Sequence, residues 1–495
     1  MSPRPDLRRA VTIVAPLALL LSLLVWGVSS PPGSSPDDDY HMASIWCGGA
    51  PEVGVCETTG DPDARLVPAE AVRASSCFAF DPNAAASCPR EEGMVVSTRG
   101  NWNGESYPPL YYAVMHLFVT DHVSTSIVLM RTVNAALYVG VLTAAFFLLP
   151  RERRPLLIWG AAVTAVPLAM FIVPSVNPSS WAILSASALW LVAWGFFEQR
   201  GWRRVFLGAL TVLLIVIGGG ARSDAALYAI VGLLAAGVLA FQRSRQYLVV
   251  GLVALTFAIT AFAFFLSGGQ SSIVTTDGAV DNETYPFASL AFINLKALPH
   301  LVFGNFGFWG LGWLDTYMPA MVSFTTLMVF AAVTFWGMRA GDWRKWLTLA
   351  GVSACAIGVP LVLLLRWGVV VGAGVQPRYG FPLLIILAGV ALVGVATAGL
   401  GLGRVQLILV ASALVIANAT ALHTNIRRYV TGLDDAGINL DRAVEWWWNA
   451  PISPMSLWAI GVAASVVLAA SLIAVIWPTR DSNAVTDLTA ASVRR

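Results

Sequence analysis

The chain runs to 495 residues, 57% of them hydrophobic and only 12% charged, with a formal net charge of +2. Soluble globular proteins sit near roughly 45–50% apolar and about 25% charged, which excludes a soluble enzyme, a DNA-binding protein and a disordered scaffold. The apolar residues arrive in runs of about 17–25, the length that crosses a hydrocarbon core of about 30 Å, so the expected fold class is an all-α polytopic membrane protein.

In chain order, residues 1–30 hold Arg4, Arg8 and Arg9 and then a first span at 11–29. A cleaved signal peptide would also begin basic and turn apolar. However, residues 10–28 run apolar and end in Ser29-Ser30-Pro31-Pro32-Gly33 with no clear small-x-small cleavage box, so an uncleaved span is expected. Residues 31–124 read as a long acidic loop opening with Pro36-Asp37-Asp38-Asp39-Tyr40-His41. Three adjacent carboxylates repel one another, which raises at least one pKa or recruits a cation. A carboxylate held just above a membrane suits deprotonation of an acceptor hydroxyl, or a divalent metal over a phosphate. The triplet also reads as a solvated acidic turn with a helix N-cap at Asp39. Magnesium, manganese or calcium would suit it, but no ligand spacing demands a metal and no other cofactor is indicated.

The same loop holds Cys47, Cys56, Cys77 and Cys88, four of the five cysteines. On an oxidising face they read as two disulfides with three connectivities open. A four-cysteine zinc site fits poorly, because no Cys-x-x-Cys pair occurs. Cys355 reads as a packing residue inside a span. The loop ends in Tyr107-Pro108-Pro109-Leu110-Tyr111-Tyr112, which begins an apolar stretch too short to span and is expected to form a juxtamembrane helix.

Further spans are expected at 125–149, 156–173, 179–198, 205–220, 225–241 and 247–266, then at 318–337, 346–366, 381–400 and 405–422, and last at 455–477, making about twelve. The chain thereby divides into 1–30, 31–124, 125–266, 267–317, 318–422, 423–454 and 455–495, the last with a tail. Pro174 and Pro178 read as a helix stop and a helix start. Within 267–317, the aromatic and glycine-rich part at 286–314 is expected to lie against the membrane surface or dip into it. Residues 423–454 carry Arg427, Arg428 and the Trp446-Trp447-Trp448 triplet.

The loops alternate in charge. Arg4, Arg8, Arg9, Arg151, Arg153, Arg154, Arg200, Arg203, Arg204, Arg243, Arg245, Arg339, Arg344, Lys345, Arg404, Arg480, Arg494 and Arg495 share one side, and most of the acids lie on the other. Short basic loops stay in the cytoplasm, so both termini are expected there and all the elaboration outside. The near absence of lysine points to codon bias in a GC-rich genome, hence to a bacterial cell membrane. No Walker sequence or Gly-rich phosphate loop faces the cytoplasm, which argues against an ATP-driven transporter, and no internal repeat is visible.

An ionised side chain at membrane depth costs at least about 2.5–3.5 kcal/mol and is a candidate functional residue. Arg131 sits about two turns into the second span and is expected to face a polar cavity. Arg222 and Asp224 interrupt an apolar stretch, where a plain interfacial hairpin pair is the competing reading. Arg378 opens another span after Gln376-Pro377, and Lys296, His300, Arg366, Arg427 and Arg428 complete an outer ring. Guanidinium forks match phosphate oxygens in pairs, so this ring opposite an acidic cluster suits a lipid-linked phosphate plus a base.

Pro36-Asp37-Asp38-Asp39-Tyr40-His41 resembles the Pro-Asp-Glu-x-x-His signature of the DUF2142 family of bacterial membrane proteins. Tyr107-Pro108-Pro109-Leu110-Tyr111-Tyr112, Arg131-x-x-Asn134, Gly304 to Pro319 with Asp315, and Gln376-Pro377-Arg378-Tyr379-x-x-Pro382 are similar to its later elements, in the same order. Asp38 stands where the family usually has Glu, and Pro377 where it often has Gly. The family's layout is similar to GT-C-type glycosyltransferases, and the resemblance implies a GT-C-like fold with a polyprenyl-phosphate sugar as donor. It implies that Asp38, with Asp37 or Asp39 as substitute, takes the acceptor proton and that His41 orients the carboxylate. Arg131, Arg222 and Arg378 would hold the donor phosphate, while Tyr107, Tyr112 and Tyr379 line the sugar or lipid groove. The implied partners are the sugar lipid, an envelope glycan or protein acceptor and membrane lipids, with no nucleic acid. A lipid or polysaccharide transporter and a non-catalytic assembly partner are the alternatives.

Overall fold

A computed structural model of the chain describes residues 5–89, 91–104, 106–269, 285–395 and 399–476, with the backbone alone for 5–9. Arg4, Arg480, Arg494 and Arg495, the side chains of Arg8 and Arg9, and most of the polar start of the 267–317 segment lie outside the described residues.

The helices are α1 (Pro5–Val28), α2 (Asp38–Trp46), α3 (Ala69–Val72), α4 (Leu110–His116), α5 (Val123–Leu148), α6 (Arg154–Val163), α7 (Pro167–Ile172), α8 (Ser179–Glu198), α9 (Trp202–Ala221), α10 (Ser223–Leu239) and α11 (Arg245–Ser267). They continue with α12 (Phe287–Phe303), α13 (Ala320–Gly337), α14 (Trp343–Arg366), α15 (Pro377–Ala391), α16 (Arg404–Val430) and α17 (Pro454–Ile476). A helix hydrophobic all round belongs in the middle of a bundle. α8 is that helix: 94% of its most apolar window is buried, and α5, α6, α9, α10 and α15 pack around it. At the other extreme α11 has 17% of its window buried and turns Leu248, Leu252 and Leu255 outward, a surface that hydrocarbon would cover. The first helix is held between α5 and the last helix, α17.

Among the described residues ten helices are long and apolar enough to cross a membrane. Nine of them coincide with expected spans, and the other three expected spans are shorter helices. The expected span at 156–173 breaks into α6 and α7, because Pro167 cannot donate to the turn before it and the Thr164 hydroxyl bonds to Gly160 O at 2.7 Å. All six residues of α7 are buried, and irregular backbone at this depth is tolerated where protein rather than lipid surrounds it. The expected span at 381–400 is helical only to Ala391, then turns at Gly394 with φ 84°.

The tenth span-length helix is Phe287–Phe308, within a segment expected as a loop. Its mean hydropathy of 1.3 is the lowest of the ten, because Asn294, Lys296, Pro299 and His300 interrupt its apolar run. It stays near the end of the bundle that carries the long connections, the loop face: Asn294 bonds to Val369 O and Val371 N. It then dips through a π turn, Gly304–Phe308, where Phe306 lies edge-on to Phe330 at 5.0 Å.

The long loop at 31–124 is not wholly helical. Glu57–Thr58, Arg65–Pro68 and Met94–Ser97 form a three-stranded antiparallel sheet, strands β1 to β3 in sequence order. Two disulfides close it, Cys47–Cys56 tying the end of α2 to the sheet and Cys77–Cys88 closing a loop that packs on Tyr429. Reducing both is expected to cost about 2–5 kcal/mol of stability, read as a lower melting temperature under reductant. An unchanged midpoint would deny the bonds a stabilising role.

Candidate functional site

The site grows out of the chain between α1 and α2. Residues 29–36 form a strap whose Ser29, Ser30, Ser34 and Ser35 are buried. Backbone groups removed from water need partners, and side chains from distant elements supply them. Arg131 of α5 donates to Gly27 O at 2.7 Å, Ser30 O at 2.5 Å, Pro31 O at 2.7 Å and Ser34 Oγ at 3.1 Å. Asn425 donates to Ser29 Oγ and Ser30 Oγ, Asn177 to Pro36 O, and Trp313 to Gly33 O. Arg131 was expected to face a polar cavity and hold phosphate. Its guanidinium instead holds the strap, so it acts on the site by fixing where the aspartates stand.

The strap ends at Asp37, a non-glycine residue in the left-handed region with φ 59°. That turn splits the three carboxylates. Asp38 turns inward, fully buried, and its Oδ2 accepts from Ser35 N at 2.9 Å. Burial pushes its pKa up to about 7 against the pull of the Arg131 charge. Asp37 turns outward, with 35% of its side chain exposed, and meets Arg378 at 2.6 Å. Asp39 pairs with Arg99 at 3.0 Å, and burial raises its pKa against that pairing. Of the three carboxylates, Asp38 was expected to act with Asp37 or Asp39 as substitute, and Asp37 has the most exposed side chain. His41 does not bond the carboxylates: Nδ1 meets Tyr112 Oη at 3.0 Å, while Nε2 is buried with no hydrogen-bond partner among the described residues. Burial among Tyr40, Tyr107 and Tyr112 lowers its pKa to about 3.

Opposite Asp37 two guanidiniums converge on one ring. Arg378 begins α15, is buried, bonds to Gln376 Oε1, and lies 5.0 Å from the Tyr379 ring centre. Arg222, in the extended link between α9 and α10, lies 4.8 Å from the same ring and 5.6 Å from that of Tyr107. Asp224 grips it through both oxygens at 2.9 and 2.6 Å. A Cβ at Gly304 would stand 2.3 Å from Pro377 Cγ, so only glycine lets the π turn close against the residue before Arg378. Asn101 accepts from Tyr107 N and donates to Tyr107 O, which fixes the second aromatic wall.

The structure thus brings together Asp37, Asp39, Arg222, Asp224, Arg378, Tyr379, Tyr107, His41 and Tyr112, with Asp38 and Arg131 beneath them. Arg99, Gln376 and Asn101 join the site without having been expected. Gln376 stood inside a quoted motif, whereas Arg99 is an exposed loop arginine that no spacing marked. Arg427 and Arg428, expected in the ring, are engaged elsewhere: Arg427 with Gly437 O and Asn439 O, Arg428 with Asp315. Among the described residues no group of three or more metal-type ligands is arranged to hold an ion.

The buried pair Asp38 and His41 makes a pH prediction with opposite signs. Asp38 has a folded pKa above its ordinary 3.8, so its stabilising contribution is full below that value and lost as pH rises toward about 7. His41 has a folded pKa below its ordinary 6.5, so its contribution is full above that value and lost as pH falls toward about 3. Asp38→Asn should therefore gain stability over the parent as pH rises from about 5 to about 8, by an amount on the order of a few kcal/mol. His41→Gln should gain on it as pH falls. Melting curves at both pH values check this; a gap that does not change with pH in either variant would contradict it.

The family described as "Predicted membrane protein (DUF2142)" matches residues 20–387, which include the aspartate turn, the tyrosine-proline element, Arg131, Arg222 and Arg378. No curated protein and no solved structure matches the chain. The match spans most of the sequence and every element of the site, and the chain belongs to the DUF2142 family of predicted membrane proteins.

Proposed function

We propose that the loop face is extracytoplasmic and that the site transfers a sugar from a polyprenyl-phosphate donor to a cell-envelope glycan or protein. The observation that carries this reading is the convergence of Arg222 and Arg378 on the ring of Tyr379 beside the exposed Asp37. Each guanidinium is tethered to a carboxylate, Arg222 to Asp224 and Arg378 to Asp37, and two planar forks facing one ring suit the several oxygens of a phosphate. The Asp37 carboxylate takes the acceptor hydroxyl proton as the acceptor oxygen bonds to the anomeric carbon. The bond from that carbon to the phosphate oxygen breaks, and the phosphate leaves with the electron pair, held by Arg378 and Arg222. Tyr107 and Tyr379 wall the sugar. Asp38 and Arg131 hold the strap in place, and no step is given to them or to a metal.

Arg378→Lys tests the phosphate contact, since an ammonium cannot reproduce a planar fork that reaches Gln376, Asp37 and phosphate together. The donor KM is expected to rise by about tenfold or more, the loss of one charge-assisted hydrogen bond. An unchanged donor KM would remove Arg378 from the phosphate pocket. A transporter reading draws less support, because Arg131, about two turns into α5, is bonded to backbone carbonyls and to Ser34 rather than facing a path across the bundle.

A further inference from the structure

A cavity of about 560 Å³ opens on the loop face away from the arginine-rich site, with the strap prolines Pro31 and Pro32 in its wall. Its floor is apolar, from Val128 and Leu129 of α5 and Leu457 of α17, and its upper wall carries Glu70, Arg73 and Glu91 from the disulfide-bonded region. Trp446, Trp447 and Trp448 form one side. The rings of Trp447 and Trp448 stand 6.0 and 5.4 Å from that of Trp446. Trp448 Nε1 donates to Val28 O at 2.7 Å and Trp447 Nε1 to Ile452 O at 2.8 Å, which locks both rings in place.

We propose that this cavity binds a neutral sugar segment of a glycan, separately from the Asp37 site. Its volume lies within the roughly 300–1,000 Å³ of small-ligand pockets. A pyranose or furanose ring offers an apolar C–H face that stacks on indole, and hydroxyl groups around its edge that a carboxylate or guanidinium fork can bond. The cavity supplies both: a rigid tryptophan wall, and a carboxylate with an arginine–carboxylate pair, Arg73–Glu91 at 2.5 Å. Its charge selects among the amphipathic ligands that would fit. Among the described lining residues two carboxylates face one guanidinium, which disfavours phosphate and anionic headgroups. The inference stands on this cavity alone and does not need the transfer reaction, although a glycan held here would suit an acceptor.

The test is isothermal titration of the detergent-purified full chain with a panel of neutral di- to tetrasaccharides of gluco, manno, galacto and arabino configuration. Saturable binding of at least one is expected. Trp446→Ala should weaken it by about tenfold or more, with Trp446→Phe restoring part of the affinity. Glu70→Gln, which leaves the tryptophans alone, should also weaken it, and Asp37→Asn should leave it unchanged. No binding across the panel would overturn the proposal. So would binding that survives both Trp446→Ala and Glu70→Gln, or that is lost with Asp37→Asn. Displacement of the sugar by phosphatidylglycerol in mixed micelles would reassign the cavity to lipid. Loss of transfer in Asp37→Asn with sugar binding intact would separate the two sites.

Discussion

Asp37→Asn is expected to lower sugar transfer from a labelled polyprenyl-phosphate donor by about 10²–10⁴, the range supplied by a positioned general base. The substitution suits the site because Asn tolerates the left-handed backbone that Asp37 adopts, and it keeps the shape while removing the basic oxygen. The Asp37–Arg378 contact weakens from an ion pair to a neutral hydrogen bond, so the fold has to be checked by melting temperature alongside the rate. Asp434→Asn, at an exposed loop carboxylate, should transfer sugar at the parental rate. Asp38→Asn, which neutralises a buried group, should change stability with pH more than it changes turnover. Parental activity in Asp37→Asn, or equal loss in Asp434→Asn, would remove Asp37 as the base. A loss confined to Asp38→Asn would return that role to the buried residue.

The split between the half-buried Asp37 and the buried Asp38 shows where the sequence stops being informative. Three aspartates in a row fix a carboxylate cluster after the first span, and hydropathy fixes its depth. Which carboxylate points outward depends on the backbone angle at Asp37, and that angle is set by the strap. Asn177, Asn425, Trp313 and Arg131 hold the strap from far along the chain, so no local pattern records it. The partners of Arg131 are hidden for a related reason. An arginine in an apolar run looks the same whether its donors meet a ligand or backbone carbonyls. The long helices were legible because twenty apolar residues leave little choice of structure. The break at Pro167 was written in the residue itself, but a continuous apolar run on either side outweighed it. At Phe287–Phe303 the polar residues Asn294, Lys296 and His300 inside the run weakened the signal and hid a helix of span length. Arg222, Arg378 and Tyr379 were singled out individually, yet only the packing of α10 on α15 brings both arginines to one ring.

The largest loss of stability is expected from Asp315→Asn. Arg428 near the end of α16 is fully buried, and its Nη2 meets Asp315 Oδ2 at 2.9 Å and Phe78 O at 2.7 Å, while Nη1 meets Ala84 O at 2.6 Å. Asp315 also accepts from Phe80 N at 3.1 Å. One guanidinium thus joins the last part of the bundle to the Cys77–Cys88 loop and to the turn after the π segment. Removing one partner of a buried pair leaves the other charge without compensation, a cost of about 3–5 kcal/mol. Glu91→Gln, which breaks the exposed Arg73–Glu91 pair, should cost about 0–1 kcal/mol. The double variant Asp315→Leu with Arg428→Met should recover much of the single-variant loss, since an apolar pair carries no desolvation penalty. Thermal melts of the four proteins in one detergent check the order. Equal shifts for Asp315→Asn and Glu91→Gln would show that the pair is not what anchors the loop region. A double variant no better than the single would show that the Phe78 and Ala84 carbonyls, rather than the carboxylate, hold Arg428 in place.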